Sequence, residues 1–76
     1  MQENQTNLVE IVVNGEARAV PGGLNVAGLL AWLGVDGGRV AVELDRRIVR
    51  KAAWDGTPVE AGAQVEIVQF VGGGLG

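Results

Sequence analysis

The residues of this chain best placed to do chemistry are its last seven, Phe70-Val-Gly-Gly-Gly-Leu-Gly76. Glycine has no Cβ, so a run of it can extend through a channel too narrow for any other residue. At about 3.3–3.6 Å per residue, the stretch from Val71 to Gly74 reaches roughly 13 Å. Such a segment can carry its own carboxylate into another protein's active site. A carboxylate is inert until one oxygen becomes a good leaving group, and adenylation by a partner's ATP achieves that. The alternative is a frayed end with no role, which is common at termini. Two features weigh against it: the glycines abut an apolar run without a spacer, and no lysine or serine accompanies them.

What the chain lacks narrows the chemistry further. It has 76 residues, with no Cys, no His and no Tyr. Disulfides, thiolate nucleophiles, zinc held by Cys or His, and imidazole acid–base catalysis are therefore excluded. The nine carboxylates are scattered singly, with no spacing that suggests a catalytic pair. The chain reads as a non-enzyme. Without cysteine it cannot hold sulfur as a persulfide, and a C-terminal thiocarboxylate is the remaining place for any sulfur it carries.

Neither Pro21-Gly-Gly-Leu-Asn-Val-Ala-Gly28 nor Gly72-Gly-Gly-Leu-Gly76 fits a phosphate-binding glycine pattern, so the chain itself binds no nucleotide cofactor. Any ATP belongs to the partner. A net charge of −3 and a pI near 4.6 argue against nucleic acid, whose phosphates demand a basic surface. No apolar run reaches the length of a membrane span. Residues 1–7 have neither a basic n-region nor an apolar h-region and read as a loose polar leader, which makes the cytoplasm the expected location.

Other residues invite a role. Arg46, Arg47, Arg50 and Lys51 hold four of the six basic side chains. They form either a solvated hairpin end or a docking patch for an acidic partner surface. Trp32, Trp54 and Phe70 are the three aromatic residues. Trp54 reads as an anchor tying a loop to the core. Phe70 is open between two roles, a core residue at a strand end and a contact for whatever grips the tail.

The elements that must position the tail follow from local patterns. Leu8-Val-Glu-Ile-Val-Val13 is a β-branched run of strand length. Asn14-Gly15 then predicts a hairpin turn, with Glu16-Ala-Arg-Ala-Val20 returning. Asn25 can cap a helix whose apolar positions Val26, Leu29, Leu30 and Leu33 share one face, and Gly34 can end it. Trp32 falls about 100° off that stripe and so at the edge of the core. Arg39-Val-Ala-Val-Glu-Leu44 alternates as a third strand. Asp45-Arg-Arg47 turns into a short fourth segment, Ile48-Val-Arg50. Lys51-Ala-Ala-Trp54 forms a helical turn, Val59 plugs the core, and Gln64-Val-Glu-Ile-Val-Gln-Phe70 is the last strand. This order predicts an α+β domain of the β-grasp kind: a mixed sheet of four to five strands with one main helix on one face. The domain should span residues 8–71, with residues 72–76 as a flexible tail.

Three stretches carry a resemblance: VVNGEARAVPGGLNVAGLLAWLGV, VAVELDRRIVRKAAW and TPVEAGAQVEIVQFVGGG. Together they resemble the ThiS-type sulfur carriers of thiamine biosynthesis, in the ubiquitin-like β-grasp superfamily. The last stretch is the most specific, because that family ends on such a strand followed by two or three glycines. The resemblance implies that a ThiF-type enzyme adenylates the terminal glycine and that sulfur from a cysteine desulfurase system displaces AMP. The thiocarboxylate then donates its sulfur to thiazole synthase (ThiG). The penultimate and terminal glycines of the family motif fall on Gly73 and Gly74, with Gly72 completing the arm and Phe70 and Val71 presenting it. The free carrier is expected to be a monomer. The small subunit of molybdopterin synthase uses the same diglycine chemistry and is the alternative, as is an interaction module with an incidental tail. The chain departs from the pattern at Ala61-Gly62-Ala63, where the family has Asp-Gly-Asp, and at Gly28 and Ala31, where it has charged residues. Leu75-Gly76 run past the family's last residue, so they are foreign to the native chain, or are removed before activation, or leave Gly76 as the activated residue.

Overall fold

The protein is described by a computed structural model over residues 7–70. The leader apart from Asn7, Val71 and the tail expected at 72–76 lie outside the described residues.

Strands β1 (Leu8–Val13) and β2 (Glu16–Pro21) form the predicted hairpin. Asn14 and Gly15 turn it with φ of +50° and +84°, the pair of positive values that a type I′ turn requires. Strand β2 includes Pro21, which a central strand could not accommodate. It lies at the sheet edge, where the missing N–H costs no ladder bond.

Helix α1 (Val26–Leu33) begins where Asn25 Oδ1 accepts from the Gly28 N–H at 2.7 Å. It ends at Gly34, whose φ of +76° lets the Val35 N–H reach back to the Leu30 carbonyl at 2.9 Å. Gly28 sits in the first turn. A Cβ there would stand 3.2 Å from Asn25 Oδ1 and 3.3 Å from Leu24 Cδ2, so alanine would require the cap or Leu24 to give by a few tenths of an ångström. Val26, Leu29 and Leu30 are buried and Leu33 half-buried, the stripe that the spacing predicts. Trp32 is 47% exposed, at the outer rim of that stripe.

A 3₁₀ turn at Gly37–Arg39, capped by Asp36, leads into β3 (Val40–Leu44). The next turn is tighter than the sequence suggested. Asp45 and Arg46 close it alone, at φ +50° and +71°, and Arg47 already pairs with Leu44. Strand β4 is therefore Arg47–Val49, not a segment beginning at Ile48. Two successive left-handed residues reverse a strand in two positions, as at Asn14-Gly15, so no third turn residue is needed.

A second 3₁₀ segment, Lys51–Gly56, carries Trp54. Its indole N–H donates to the Val49 carbonyl at 2.8 Å while the ring is buried. The ring packs against Gly37, where a Cβ would stand 2.9 Å from Trp54 Cζ3. Trp54 thus anchors its loop as expected, and Val59 fills the core beneath it.

Strand β5 (Gln64–Gln69) completes a five-stranded sheet in the order β2-β1-β5-β3-β4. It runs parallel to β1 and antiparallel to β3. Ile11, Val13, Val20, Val40, Val42 and Val65 bury one sheet face against α1, and Ala63 closes the end of the core. One helix on one face of a mixed sheet, with the last strand in its middle, is the β-grasp arrangement.

Candidate functional site

A central last strand places the chain's exit between two neighbours, and the two hold it differently. On one side β5 pairs with β3 from Leu44↔Val65 to Val40↔Gln69, and the Phe70 N–H donates to the Arg39 carbonyl at 2.8 Å. On the other side β1 reaches only Val12↔Gln64 and Val13↔Val65 before it turns away. The Asn14 N–H then donates to the Val65 carbonyl at 2.8 Å. Beyond that the Asn14 side chain continues the ladder. Its Oδ1 accepts from the Ile67 N–H at 2.7 Å, and its Nδ2 donates to the Ile67 carbonyl at 3.3 Å. A carboxamide carries the same donor–acceptor pair as a peptide group, so it can stand in for one more strand residue. β5 is thereby pinned on both edges almost to its last residue.

Phe70 is the last described residue, and it is 58% exposed. It is not a core residue at a strand end. Strand alternation sends Val65 and Ile67 toward the helix, and Glu66, Val68 and Phe70 to the opposite, open face. Val68 pairs with Ala41 on β3, and Ile48 on β4 pairs with Glu43. Ile48 and Val68 are 75% and 57% exposed. With Ala41, Glu43 and Glu66 they line a shallow hollow of about 270 Å³ on the open face. Sequence reasoning missed Ile48 and Val68. The signal was available in phase: both are branched apolar residues on the polar side of an alternating strand.

Among the other candidates, Arg46, Arg47, Arg50 and Lys51 are all exposed, as both of their readings require. Lys51 Nζ lies 6.0 Å from the centroid of the Trp54 ring. Val71, Gly72, Gly73, Gly74 and Gly76 fall outside the described residues, so the geometry reaches the root of the proposed arm and stops there. At Ala61-Gly62-Ala63 the backbone supplies the closure that side-chain caps would give. The Gly62 N–H donates to the Glu10 carbonyl at 2.7 Å and the Ala63 N–H to the Glu60 carbonyl at 3.1 Å. No helix among the described residues is long and apolar enough to cross a membrane.

Comparison with known proteins agrees with this architecture. The ThiS family model matches residues 11–74. Two structures of a ThiS thiamine biosynthesis protein from Geobacter metallireducens are similar. The crystal structure has 38% identity and a TM-score of 0.78, covering 87% of this chain and 100% of that one. The NMR structure has 38% identity and a TM-score of 0.73, covering 88% and 90%. Two curated relatives are thiazole synthases. That of Paramagnetospirillum magneticum is 42% identical over 66 residues, and that of Magnetococcus marinus 33% over 66 residues. The match takes in 87% of this chain but only 20% of the length of either relative. With fold, last-strand geometry and family match in agreement, the chain belongs to the ThiS family.

Proposed function

We propose that this chain is the sulfur carrier that supplies thiazole synthase in thiamine biosynthesis, with Gly74 as the residue that carries the sulfur. ThiS-family proteins are small sulfur carriers rather than enzymes. A ThiF-type partner lets a carboxylate oxygen of the terminal glycine attack the α-phosphorus of ATP, and pyrophosphate leaves. A persulfide from a cysteine desulfurase system then attacks the acyl carbon through its outer sulfur. The C–S bond forms as the C–O bond to phosphate breaks, and AMP departs with the electron pair. A thiol of the sulfur-delivery system then attacks the inner (cysteine) sulfur of the acyl disulfide, so that the S–S bond breaks, a new disulfide forms on the delivery side and the thiocarboxylate leaves with the electron pair. That thiocarboxylate donates its sulfur to thiazole synthase in the cytoplasm, and residues 72–74 are the arm that enters both partners' active sites.

The observation that carries this reading is the exit of β5. A strand clamped on both edges ends in an exposed aromatic residue, and the family match continues from there to Gly74. A rigid root fixes where the arm begins, which is what a carrier serving two active sites needs. The match ending at Gly74 favours that residue over Gly76 as the acceptor of sulfur, once Leu75-Gly76 are removed. The thiazole synthase relatives favour the thiamine pathway over molybdopterin. Deleting the gene tests this: the strain should require thiazole for growth and keep its molybdenum cofactor, and loss of that cofactor instead would overturn the assignment.

A further inference from the structure

The sheet narrows to two strands where the chain leaves it. β4 pairs with β3 only at Leu44, Glu43 and Val42, and β1 pairs with β5 only at Gln64 and Val65. Beyond those levels Val40-Ala41 and Val68-Gln69 pair with each other alone, a two-stranded ribbon among the described residues. Such ribbons twist more strongly than the strands of a wider sheet. Packing gives little support beneath it: a hollow of about 420 Å³ opens between Ile67 and Gln69 of β5 and Leu33 and Val35 at the end of α1. The last restraint from the β1 side is the Asn14 carboxamide, which bonds both backbone groups of Ile67. It does so at the level of the final β3–β4 pair, Val42↔Val49, at the mouth of the ribbon. Asn14 is itself fixed, by its turn and by its N–H on the Val65 carbonyl.

We propose that Asn14 is a positioning residue for sulfur transfer: its carboxamide sets the angle at which β5 delivers the arm to the enzyme that activates it. This role rests on the function proposed above and adds to it the side chain that aims the arm. Asn14 acts through Ile67 and touches no reacting atom. A rotation of about 10° at the root would swing the end of an arm of roughly 13 Å by about 2 Å. A channel just wide enough for glycine admits only a narrow range of approach. Apparent affinity falls with the fraction of conformers able to enter. Once the arm is in place the chemistry is the same, so the loss falls on KM and not on kcat. The whole carboxamide is needed, because Ile67 presents one donor and one acceptor and a carboxylate matches only the donor.

The test is ATP–pyrophosphate exchange by a purified ThiF-type enzyme, well below the melting temperature, with chains ending at Gly74. The unsubstituted chain is compared with Asn14→Gly, Asn14→Asp and Val20→Ala. Asn14→Gly keeps the left-handed turn and deletes only the carboxamide, so the fold is retained. Its KM for the carrier should rise about tenfold with kcat unchanged, and Asn14→Asp should fall between it and the unsubstituted chain. Val20→Ala opens a cavity in the core near Val9, at the end of the sheet away from the exit, and should leave KM as it is. Hydrogen exchange of the Phe70 N–H in the free carrier should accelerate in Asn14→Gly, which separates aiming from a direct contact between Asn14 and the enzyme. An unchanged KM in Asn14→Gly, an equal rise in Val20→Ala, or a raised KM with unchanged exchange at Phe70 would overturn the proposal. An unsubstituted chain that supports no pyrophosphate exchange would instead sink the function beneath it.

Discussion

Asn14 and Ile67 are 53 residues apart in sequence, yet the side chain of the first bonds both backbone groups of the second. The turn that closes the first hairpin thereby also fixes the end of the last strand. Asparagine is the residue that can do both. It tolerates the φ of +50° that the turn imposes, and it carries the donor and the acceptor that Ile67 needs. Glycine would satisfy only the turn, and aspartate only one of the two bonds.

Asn14→Ala should therefore lower stability by about 2 kcal/mol, the sum of two modest hydrogen bonds and a left-handed alanine. Asn14→Asp keeps the acceptor for the Ile67 N–H and should cost roughly half as much. Urea unfolding measures both, and amide exchange at Ile67 should accelerate in the alanine variant more than at Val65. Equal stability of all three proteins would refute the clamp.

Gly37 and Trp54 make a second long-range contact that a single methyl group tests. Gly37→Ala places a Cβ within 2.9 Å of the buried ring, and overpacking of this kind costs about 1–3 kcal/mol. Trp54→Phe removes the bond to the Val49 carbonyl and should cost about 1–2 kcal/mol. In the Gly37→Ala protein the Trp54 emission should shift as the ring moves; an unshifted spectrum with unchanged stability would contradict the packing described.

Arg46 holds a φ of +71°, which costs a side-chain-bearing residue about 1–2 kcal/mol. Arg46→Gly relieves that strain but loosens the unfolded chain by about 0.5–1 kcal/mol. The net expectation is a gain of about 0.5 kcal/mol, seen as a raised urea midpoint with an unchanged slope. A loss of stability would show that the arginine side chain makes up for its backbone.

Much of this architecture was legible in local chemistry, and the remainder lies in long-range geometry. Asn14-Gly15 marked its hairpin, and Asn25 and Gly34 marked the ends of the helix, because capping and turn preferences act over a few residues. The stripe of Val26, Leu29 and Leu30 gave the buried face by period alone. The turn at Asp45-Arg46 was harder, since arginine is not a turn residue and only the Leu44↔Arg47 pairing reveals how tight it is. No local pattern could show that the Asn14 amide serves a strand 53 positions away. At the candidate site, the open phase of Ile48, Val68 and Phe70 was readable from strand alternation, whereas the Glu43↔Glu66 and Glu43↔Ile48 pairings needed the strand register.

The central claim is that sulfur is carried on the C-terminal glycine, and intact mass reads that directly. A chain ending at Gly74 is incubated with ATP, sulfide and a ThiF-type activating enzyme, beside a variant lacking residues 73–76. The expected result is a gain equal to one oxygen-to-sulfur exchange on the chain ending at Gly74, none in the truncated variant, and nearly equal melting temperatures for the two. An unchanged mass for the chain ending at Gly74, in a reaction where an established carrier becomes loaded, would contradict it.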